Sequence, residues 1–434
     1  MSPFRSLTRE EWSWALYDVG NSAFVLVVVT ALMPLYFKDL ATASLPAATS
    51  TAYWAYTNGA SSLVLALLAP LLGALADYPG RKKFYFAVFL LLGLCATLAL
   101  TIPGQGQWLL TLVLFLCARL GWAGANIFYD AFLVDVTSSS RMDSLSAQGY
   151  AWGYIGSVIP FLAILALLVS SGDLSRGLPT QAVKISFLLV ALWWCLFSIP
   201  AMRHLQQRHA QPKSAAPIRD SLRRVSAMLV EARQHPKVFL FLLAYFFYID
   251  GVDTIISMAG VYGRDLGFSS ATLIVVLLVI QIVAFPCTLA YAHLAGRFTS
   301  LNLLLAGIGI YGCITLLGFL LPAISHAGLK TACFWLIALL VASSMGGIQA
   351  LSRSYYSRLI PKEKSAQFFG IYNIFGKFAA IFGPFLLGLT GQITGDSRWG
   401  VLSLLPLFLL GAFFLVRAHQ LPDPAQPILS NHEE

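Results

Sequence analysis

Long apolar runs alternate with short polar turns along the whole chain of 434 residues. A membrane helix needs roughly 20 apolar residues, because each residue adds about 1.5 Å and the hydrocarbon layer is about 30 Å thick. Runs of this kind occur twelve times, at 12–37, 53–76, 84–102, 108–133, 150–170, 185–202, 238–261, 271–292, 301–322, 331–352, 367–390 and 399–416. They lack the regular alternation of barrel strands. The pattern therefore predicts an all-α integral membrane protein with twelve transmembrane helices.

Composition argues against a soluble protein. Hydrophobic residues make up 58% of the chain and charged residues 11%, whereas soluble domains carry roughly a quarter charged residues. The six cysteines lie inside apolar runs and form no Cys-x-x-Cys pair. We interpret them as buried small hydrophobic residues rather than as disulfide partners or metal ligands. We expect neither a metal site nor a cofactor.

The net charge of +9 has a topological explanation. If the amino terminus is cytoplasmic, twenty Lys and Arg residues fall on the cytoplasmic side and six on the other, with Arg119 and Lys377 inside helices. This asymmetry follows the positive-inside rule and predicts that both termini are cytoplasmic. It also removes the need for a nucleic-acid partner. Short loops, and residues 1–11 without a cleavable leader, favour a bacterial inner (plasma) membrane.

A basic polar segment divides the chain into two halves. Residues 1–202 hold six predicted helices, residues 203–236 form a cytoplasmic linker, and residues 237–434 hold six more helices. Within the linker, the run 219–233 alternates charges with apolar positions. It predicts an amphipathic helix on the inner leaflet, and the alternative is a solvated linker.

The two halves also resemble each other in sequence. A shift of 223 positions pairs residues of the fourth and tenth helices: Gly124 with Gly347, Asn126 with Gln349, Asp130 with Arg353, and Asp135 with Arg358. Repeated halves with a substrate site between them, near the membrane midplane, are typical of secondary transporters. We therefore expect two pseudo-symmetric six-helix bundles.

The turn at 73–83, GALADYPGRKK, carries a family resemblance. It resembles the signature between the second and third helices of the major facilitator superfamily, with Tyr78 in place of the usual basic residue. The blocks at 14–24 and 346–384 resemble the vacuole-effluxer-like branch, also called the unknown major facilitator family. Val19 stands where that branch usually has an aromatic residue, and Asp130 where Asn is more frequent. The resemblance implies the major facilitator fold and, from fungal members, amino-acid export.

The same resemblance implies a gate at the cytoplasmic ends of the helices. Asp77, Arg81 and Lys82 would form breakable ionic contacts in one access state. Their expected partners are Asp130, Asp135, Arg353 and Arg358. Gly73 and Gly80 would permit close approach of the backbones. The alternative is a plain positive-inside anchor, which needs the basic residues but neither Gly73 nor Asp77.

Charged residues deep in the predicted helices are candidates for the transport site, because burying a charge in a membrane is costly. At about 1.5 Å per residue, Arg119, Asp250 and Lys377 lie roughly 15–18 Å from the nearer helix end. Asp253 shares a helix face with Asp250, and Asp18 lies closer to the cytoplasm. Two cations and two carboxylates suit a small zwitterion. The alternative is that these charges pair with one another.

Asp250 is the preferred site of proton coupling, with Asp253 next. Burial favours the neutral form of a carboxyl group, so that protonation would be a natural response to a proton gradient.

Uncharged polar side chains in the helical cores either line the cavity or bond a neighbouring helix. The residues concerned are Asn21, Asn58, Asn126, Gln281, Gln349 and Asn373, with Tyr17, Tyr129, Tyr248 and Tyr372 as candidate aromatic neighbours. Interhelical bonding is the interpretation favoured for each amide.

The sequence contains no enzyme signature. The run 370–377 has five residues between its glycines, and Phe378 follows where a phosphate loop has Ser or Thr. The leading hypothesis is a monomeric, proton-coupled secondary transporter of small metabolites in the lipid bilayer, with amino acids as the first cargo. The alternatives are an exporter of amphipathic compounds and a receptor or scaffold without flux.

Overall fold

The computed structural model describes residues 7–41, 47–104, 106–172, 178–212, 214, 219–221, 236–268 and 270–422. Within these ranges every regular element is a helix and no strand occurs. The predicted amphipathic helix at 219–233 lies largely outside them, as do the side chains of Asn58 and Lys377.

Twelve long helical segments follow one another along the described part of the chain. Helix α1 runs as Arg9–Ala23, continues as a π-helix over Phe24–Leu32 and ends as Met33–Ala41. The others are α2 Ala47–Ala76, α3 Arg81–Ala99, α4 Trp108–Ala131, α5 Met142–Ser171, α6 Thr180–His204, α7 Pro236–Asp265, α8 Ser270–Leu294, α9 Ser300–Leu320, α10 Ala327–Leu359, α11 Ser365–Thr394, and α12, which comprises Ser397–Leu402 and Leu405–Gln420.

Ten of these segments are long and apolar enough to cross a membrane, judged on the described residues alone. The other two, α2 and α11, have 30 residues each and cover the predicted spans 53–76 and 367–390. The twelve predicted spans therefore each coincide with one helical segment, and the predicted fold class is confirmed.

Several helices extend beyond their apolar cores. Helix α1 begins at a capping box, in which Thr8 accepts from the backbone N–H of Glu11 and the Glu11 side chain accepts from that of Thr8. Helix α10 reaches Leu359, although its apolar run ends near residue 352. Its last turns are polar but buried, because they face the other half of the protein. Hydropathy alone marks only the part of a helix that faces lipid or apolar core.

The helices pack in a two-fold repeated pattern. Helix α1 packs on α5 and α6, and α7 packs correspondingly on α11 and α12. Helices α3 and α4 form a pair in the first half, as α9 and α10 do in the second. The halves meet where α5 contacts α8 and α10, and where α2 and α4 contact α11. Each of these contacts within one half thus has a counterpart in the other.

Large apolar side chains cover the outside of the bundle. Leu67, Ile102 and Ile393 are 72%, 69% and 76% exposed, which suits a surface solvated by lipid. Cys95, Cys195 and Cys313 also lie on this surface, and all six cysteines are free. The expectation that the cysteines are buried was therefore wrong for these three, because an apolar helix in a membrane faces lipid as well as core.

Candidate functional site

The polar contacts between the halves described below converge toward one end of the bundle. We call it the turn end, because it carries the turn 77–80 between α2 and α3. Helices α3, α5, α9 and α11 begin there, and α4 and α10 end there. Charged residues are concentrated where these ends meet.

Asp77 caps the first turn of α11 across the interface. Its two carboxylate oxygens accept from the backbone N–H groups of Ala366 and Gln367, each at 2.9 Å. The side chain is fully buried. A carboxylate at a helix N-terminus satisfies otherwise unpaired donors and interacts favourably with the helix dipole. Asp77 therefore fastens α2 to α11.

Gly73 makes the approach of α2 to α11 possible. A Cβ at this position would stand 2.4 Å from the carbonyl oxygen of Ala366, which is far inside contact distance. Gly80 has a different place. Its φ of 73° lies in the left-handed region and no atom lies within 4 Å of the position of a Cβ. Gly80 shapes the turn, and the predicted close approach applies to Gly73 alone.

Lys82 joins α3 to both halves. Its Nζ lies 2.7 Å from Asp135 Oδ2 and 2.8 Å from Ser365 Oγ. The ammonium group is fully buried, as is the carboxylate of Asp135. Asp135 also accepts from the backbone N–H groups of Arg208 and His209, so the start of the linker folds over this pair.

A related contact joins the halves through Asp143 at the start of α5. Arg358 Nη1 lies 2.8 Å from Asp143 Oδ1, and Ser300 Oγ donates to Asp143 Oδ2 at 2.9 Å. Ser354 also donates to this carboxylate. The positions of Asp135 and Arg358 correspond under the 223-residue shift, so the two halves make similar joints with the charges reversed.

Arg353 is the central residue of the turn end. It projects from α10 into the first half and is 2% exposed. Its guanidinium donates to Asp130 Oδ1 at 3.1 Å, to Ser146 Oγ at 2.9 Å and to the Ser146 carbonyl at 3.1 Å. Asp18 Oδ2 lies 3.6 Å from Nη2. One cation is thus shared by two carboxylates of the opposite half, of which Asp18 is buried and Asp130 is partly buried.

Aromatic faces complete the surroundings of the guanidinium. Its Cζ lies 4.5 Å from the ring centroid of Trp14 and 4.4 Å from that of Tyr150. The Trp14 indole is held by a hydrogen bond to the Tyr129 carbonyl at 3.0 Å. A Cβ on Gly149 would stand 2.7 Å from Asp18 Oδ2 and 3.3 Å from Arg353 Nη2. The pocket is therefore built closely around this one side chain.

A chain of polar side chains leads inward from the Arg353 pocket. Tyr129 donates to Asp18 Oδ2 at 2.8 Å, and Asn21 donates to Asp18 Oδ1 at 3.4 Å. Asn126 then donates to Asn21 at 3.2 Å, while its own buried Oδ1 has no partner among the described residues. The structure thus brings Asp18, Asn21 and Asn126 into one network with the gate.

Other predicted polar residues lie around this network, and Asn373 of α11 hydrogen-bonds Asp130 of the other half. Tyr154 donates to Gln349 at 3.1 Å across the interface of α5 and α10. Asn373 donates to the Phe369 carbonyl of its own helix at 3.0 Å. Tyr17 packs against Tyr129, with ring centroids 4.6 Å apart.

The deep charges have different surroundings among the described residues. Asp250 accepts from the backbone N–H of Gly383 at 2.8 Å, and no ion pair joins it to a cation among the described side chains. Arg119 lies over the ring of Phe115, with Cζ 6.0 Å from the centroid. Asp253 is partly buried on α7.

The structure thus gives each predicted gate residue its own contacts. Lys82 meets Asp135, and Arg353 meets Asp130. Asp77 accepts from two backbone N–H groups of α11. Arg81 is exposed, with its guanidinium 5.9 Å from the Phe84 ring centroid. Sequence reasoning missed other partners, namely Asp143, Ser146, Trp14, Tyr150 and Ser365. The similarity of the halves was the available signal for Asp143, since it lies where α5 repeats the start of α11.

Comparison with known proteins identifies the family. The model described as vacuole effluxer Atg22 like matches residues 47–420. The chain belongs to this family. YxiO, an MFS-type transporter of Bacillus subtilis (strain 168), is 45% identical to it over 413 residues, which cover 95% of each chain. Autophagy-related protein 22 of Yarrowia lipolytica (strain CLIB 122 / E 150) is 26% identical over 298 residues, which cover 63% of this chain and 50% of the fungal protein.

Solved structures show the same fold. One is a bacterial homologue of the iron transporter ferroportin, in an outward-facing state with soaked iron. It matches with a TM-score of 0.67 at 14% sequence identity, and the match covers 96% of this chain and 100% of the homologue. The transporter FucP, in the outward conformation, has a TM-score of 0.67 at 13% identity and covers 97% and 100%. This member of the Atg22-like family is a membrane transporter with the major facilitator fold, not an enzyme, which confirms the predicted family.

Proposed function

We propose that the protein is a secondary active transporter that works by alternating access of its two halves. The observation that carries the proposal is Arg353, which leaves its own half and shares its charge with Asp18 and Asp130 of the other. Such a contact is strong when formed and is broken as a unit when the halves part. The joints at Asp77, Lys82 and Asp143 would open with it.

The turn end is proposed to face the cytoplasm of a bacterium, with both termini on that side of the plasma membrane. The excess of Lys and Arg in the turns on this side supports the orientation. The extensive identity to a protein of Bacillus subtilis supports the location.

The proposed cargo is a small zwitterion, with neutral amino acids as the first class to test, and the proposed driving force is the proton gradient. The description of the family as vacuole effluxers supports a small metabolite as cargo. Asp253, an acidic residue one helical turn from Asp250 on α7, supports a site for an ammonium group. Arg119 and Lys377 are the candidates for meeting a carboxylate.

Counterflow in proteoliposomes tests this function without any driving force. Vesicles are preloaded with mixed unlabelled amino acids, and entry of labelled neutral amino acids is followed. We expect saturable exchange of at least one label. Absence of exchange for every amino acid, in protein shown to be folded, would refute the amino-acid cargo.

A disulfide cross-link at the turn end provides the matched control. Ala147 of α5 and Ala350 of α10 belong to one packed cluster, so an A147C/A350C pair in a background without the native cysteines is placed to cross-link the halves. We expect exchange to stop after oxidation and to return after reduction in the same preparation. An exchange rate that is unchanged by the cross-link would contradict alternating access through this end.

A further inference from the structure

A second polar site lies away from the gate, between α7 and α11. Asp250 is fully buried, and only its Oδ1 has a partner, the N–H of Gly383 at 2.8 Å. Its Oδ2 has none among the described residues. Thr254, one turn further along α7, is also fully buried, and its Oγ1 likewise has no described partner. Two oxygen-bearing side chains thus lie side by side with unsatisfied atoms.

Both side chains are directed at the same point of α11. A Cβ on Gly383 would stand 2.1 Å from Thr254 Oγ1 and 2.7 Å from Asp250 Oδ1, so a side chain there would displace the two oxygens. Pro384 follows. Because proline has no N–H, the Ala380 carbonyl loses its usual helical donor. The pocket therefore places a carboxylate, a hydroxyl and one backbone N–H in the contact between two helices.

The first half shows that the fold does not require these polar groups. A shift of 231 positions places Tyr17 on Tyr248 and Gly20 on Gly251. The same shift places Val19 on Asp250 and Ala23 on Thr254. Both Val19 and Ala23 are buried, and Val19 Cγ1 lies 2.5 Å from the position of a Cβ on Gly156 in α5. The corresponding contact is thus made by apolar residues.

An unpartnered carboxylate and hydroxyl in a buried contact are destabilising relative to such apolar residues. Their presence is explained if the pocket binds a cation during part of the transport cycle. We propose that Asp250 and Thr254 form the binding site of the coupling proton, and that its occupancy controls the packing of α7 on α11. This inference rests on the proposed proton-coupled transport.

The chemistry of the step is simple. Asp250 Oδ2 takes up a proton to form the neutral acid, and the Thr254 hydroxyl offers this acid an acceptor. The neutral acid suits the apolar contact, whereas the carboxylate favours separation of α7 from α11. The neighbouring ionisable groups are Asp253, Tyr245 and Tyr248 on α7 and Lys377 on α11, whose side chain lies outside the described part. From α12 the residue against this turn is Phe408.

The test replaces Asp250 and Thr254 by the apolar residues that occupy the corresponding positions of the first half. The Asp250→Val/Thr254→Ala variant is compared with the wild type in counterflow, which shows whether cargo still binds, and in accumulation driven by a pH gradient. Uphill accumulation driven by a pH gradient should fall to the level seen without a gradient. Cargo-dependent uptake of protons should vanish with it. Thr97→Val removes a buried hydroxyl that bonds only its own helix, and it should retain both activities.

Other outcomes overturn the proposal. Loss of counterflow in the folded double variant would make the pocket part of the cargo site, and retained pH-driven accumulation would place the proton elsewhere. Accumulation that follows a sodium gradient and ignores pH would assign the pocket to sodium. Absence of counterflow in the wild type would refute the proposed function instead.

A readout without cargo keeps the two failures apart. Thermal unfolding of the purified wild type should show greater stability at acid than at neutral pH, because the proposed proton stabilises the contact of α7 with α11. The double variant should lack that component. Identical profiles would refute the proton site whatever the cargo.

Discussion

Replacement of Asp77 by asparagine should open the turn end. The native carboxylate accepts two backbone hydrogen bonds from the first turn of α11. An amide offers one oxygen and one NH₂ group, and the NH₂ group would face a backbone N–H. At least one buried donor therefore loses its partner in the closed state. In the open state α11 and Asp77 are apart and the substitution changes little.

The size of the effect follows from these contacts. A hydrogen bond to a charged group contributes about 1.5–3 kcal/mol, and a charge at a helix N-terminus about 0.3–1 kcal/mol, more when it is partly buried. Together they amount to about 2–4 kcal/mol. Since 1.4 kcal/mol is a factor of ten, the population open at the turn end should rise about 30- to 700-fold.

Thiol labelling measures this population. Ala350 is fully buried between the halves, so a cysteine at this position reacts with a maleimide only when the turn end opens, and its labelling rate follows the open population. Arg81→Gln is the matched control, because Arg81 belongs to the same turn but is exposed. Labelling of the Asp77→Asn protein within a factor of about three of this control would refute the capping role, since that ratio is below 1 kcal/mol.

Two further predictions use the same labelling assay. Arg353→Met should leave the carboxylates of Asp18 and Asp130 without this cation and weaken the closed state by about 3–5 kcal/mol. An added Asp130→Asn substitution should restore part of the lost stability. Equal labelling rates in the single and double variants would contradict this pairing. Gly73→Ala should increase the labelling rate, because its Cβ would stand 2.4 Å from the Ala366 carbonyl oxygen. Gly80→Ala should lower the folding stability by about 1–2 kcal/mol, because the backbone at this position is left-handed, and it should leave the labelling rate unchanged. Increased labelling in both glycine variants would mean that the turn, and not the helix contact, sets the closed state.

The gate illustrates how far sequence reasoning reached. The repeat of 223 positions singled out Asp130 and Arg353, and in the structure these two residues contact each other across the halves. The repeat gave no distances, however, and the Asp77 contact with two backbone N–H groups has no sequence signature of its own. Ser146 and Tyr150 were missed for the same reason. Their roles arise because α10 brings a guanidinium against the buried face of α5.

The deep charges show what sequence reasoning could not determine. Depth along a helix, counted from its ends, places Asp250 near the midplane, but it does not tell which neighbour the side chain meets. The structure turns Asp250 toward Gly383, and Thr254, which hydropathy treats as an ordinary helix residue, toward the same point. Only the packed position of α11 shows that both side chains meet at Gly383.

The sequence by itself determined the membrane location, the twelve helices, the two related halves and the family. These properties depend on local composition and on repetition, because a run of about 20 apolar residues has no stable alternative to a helix in lipid. The tertiary structure decided which charges meet, which end is closed, and where a carboxylate remains without a partner. These properties depend on contacts between residues far apart in the chain, such as Asp77 with Ala366 and Asp130 with Arg353, whose geometry exists only once the halves have packed.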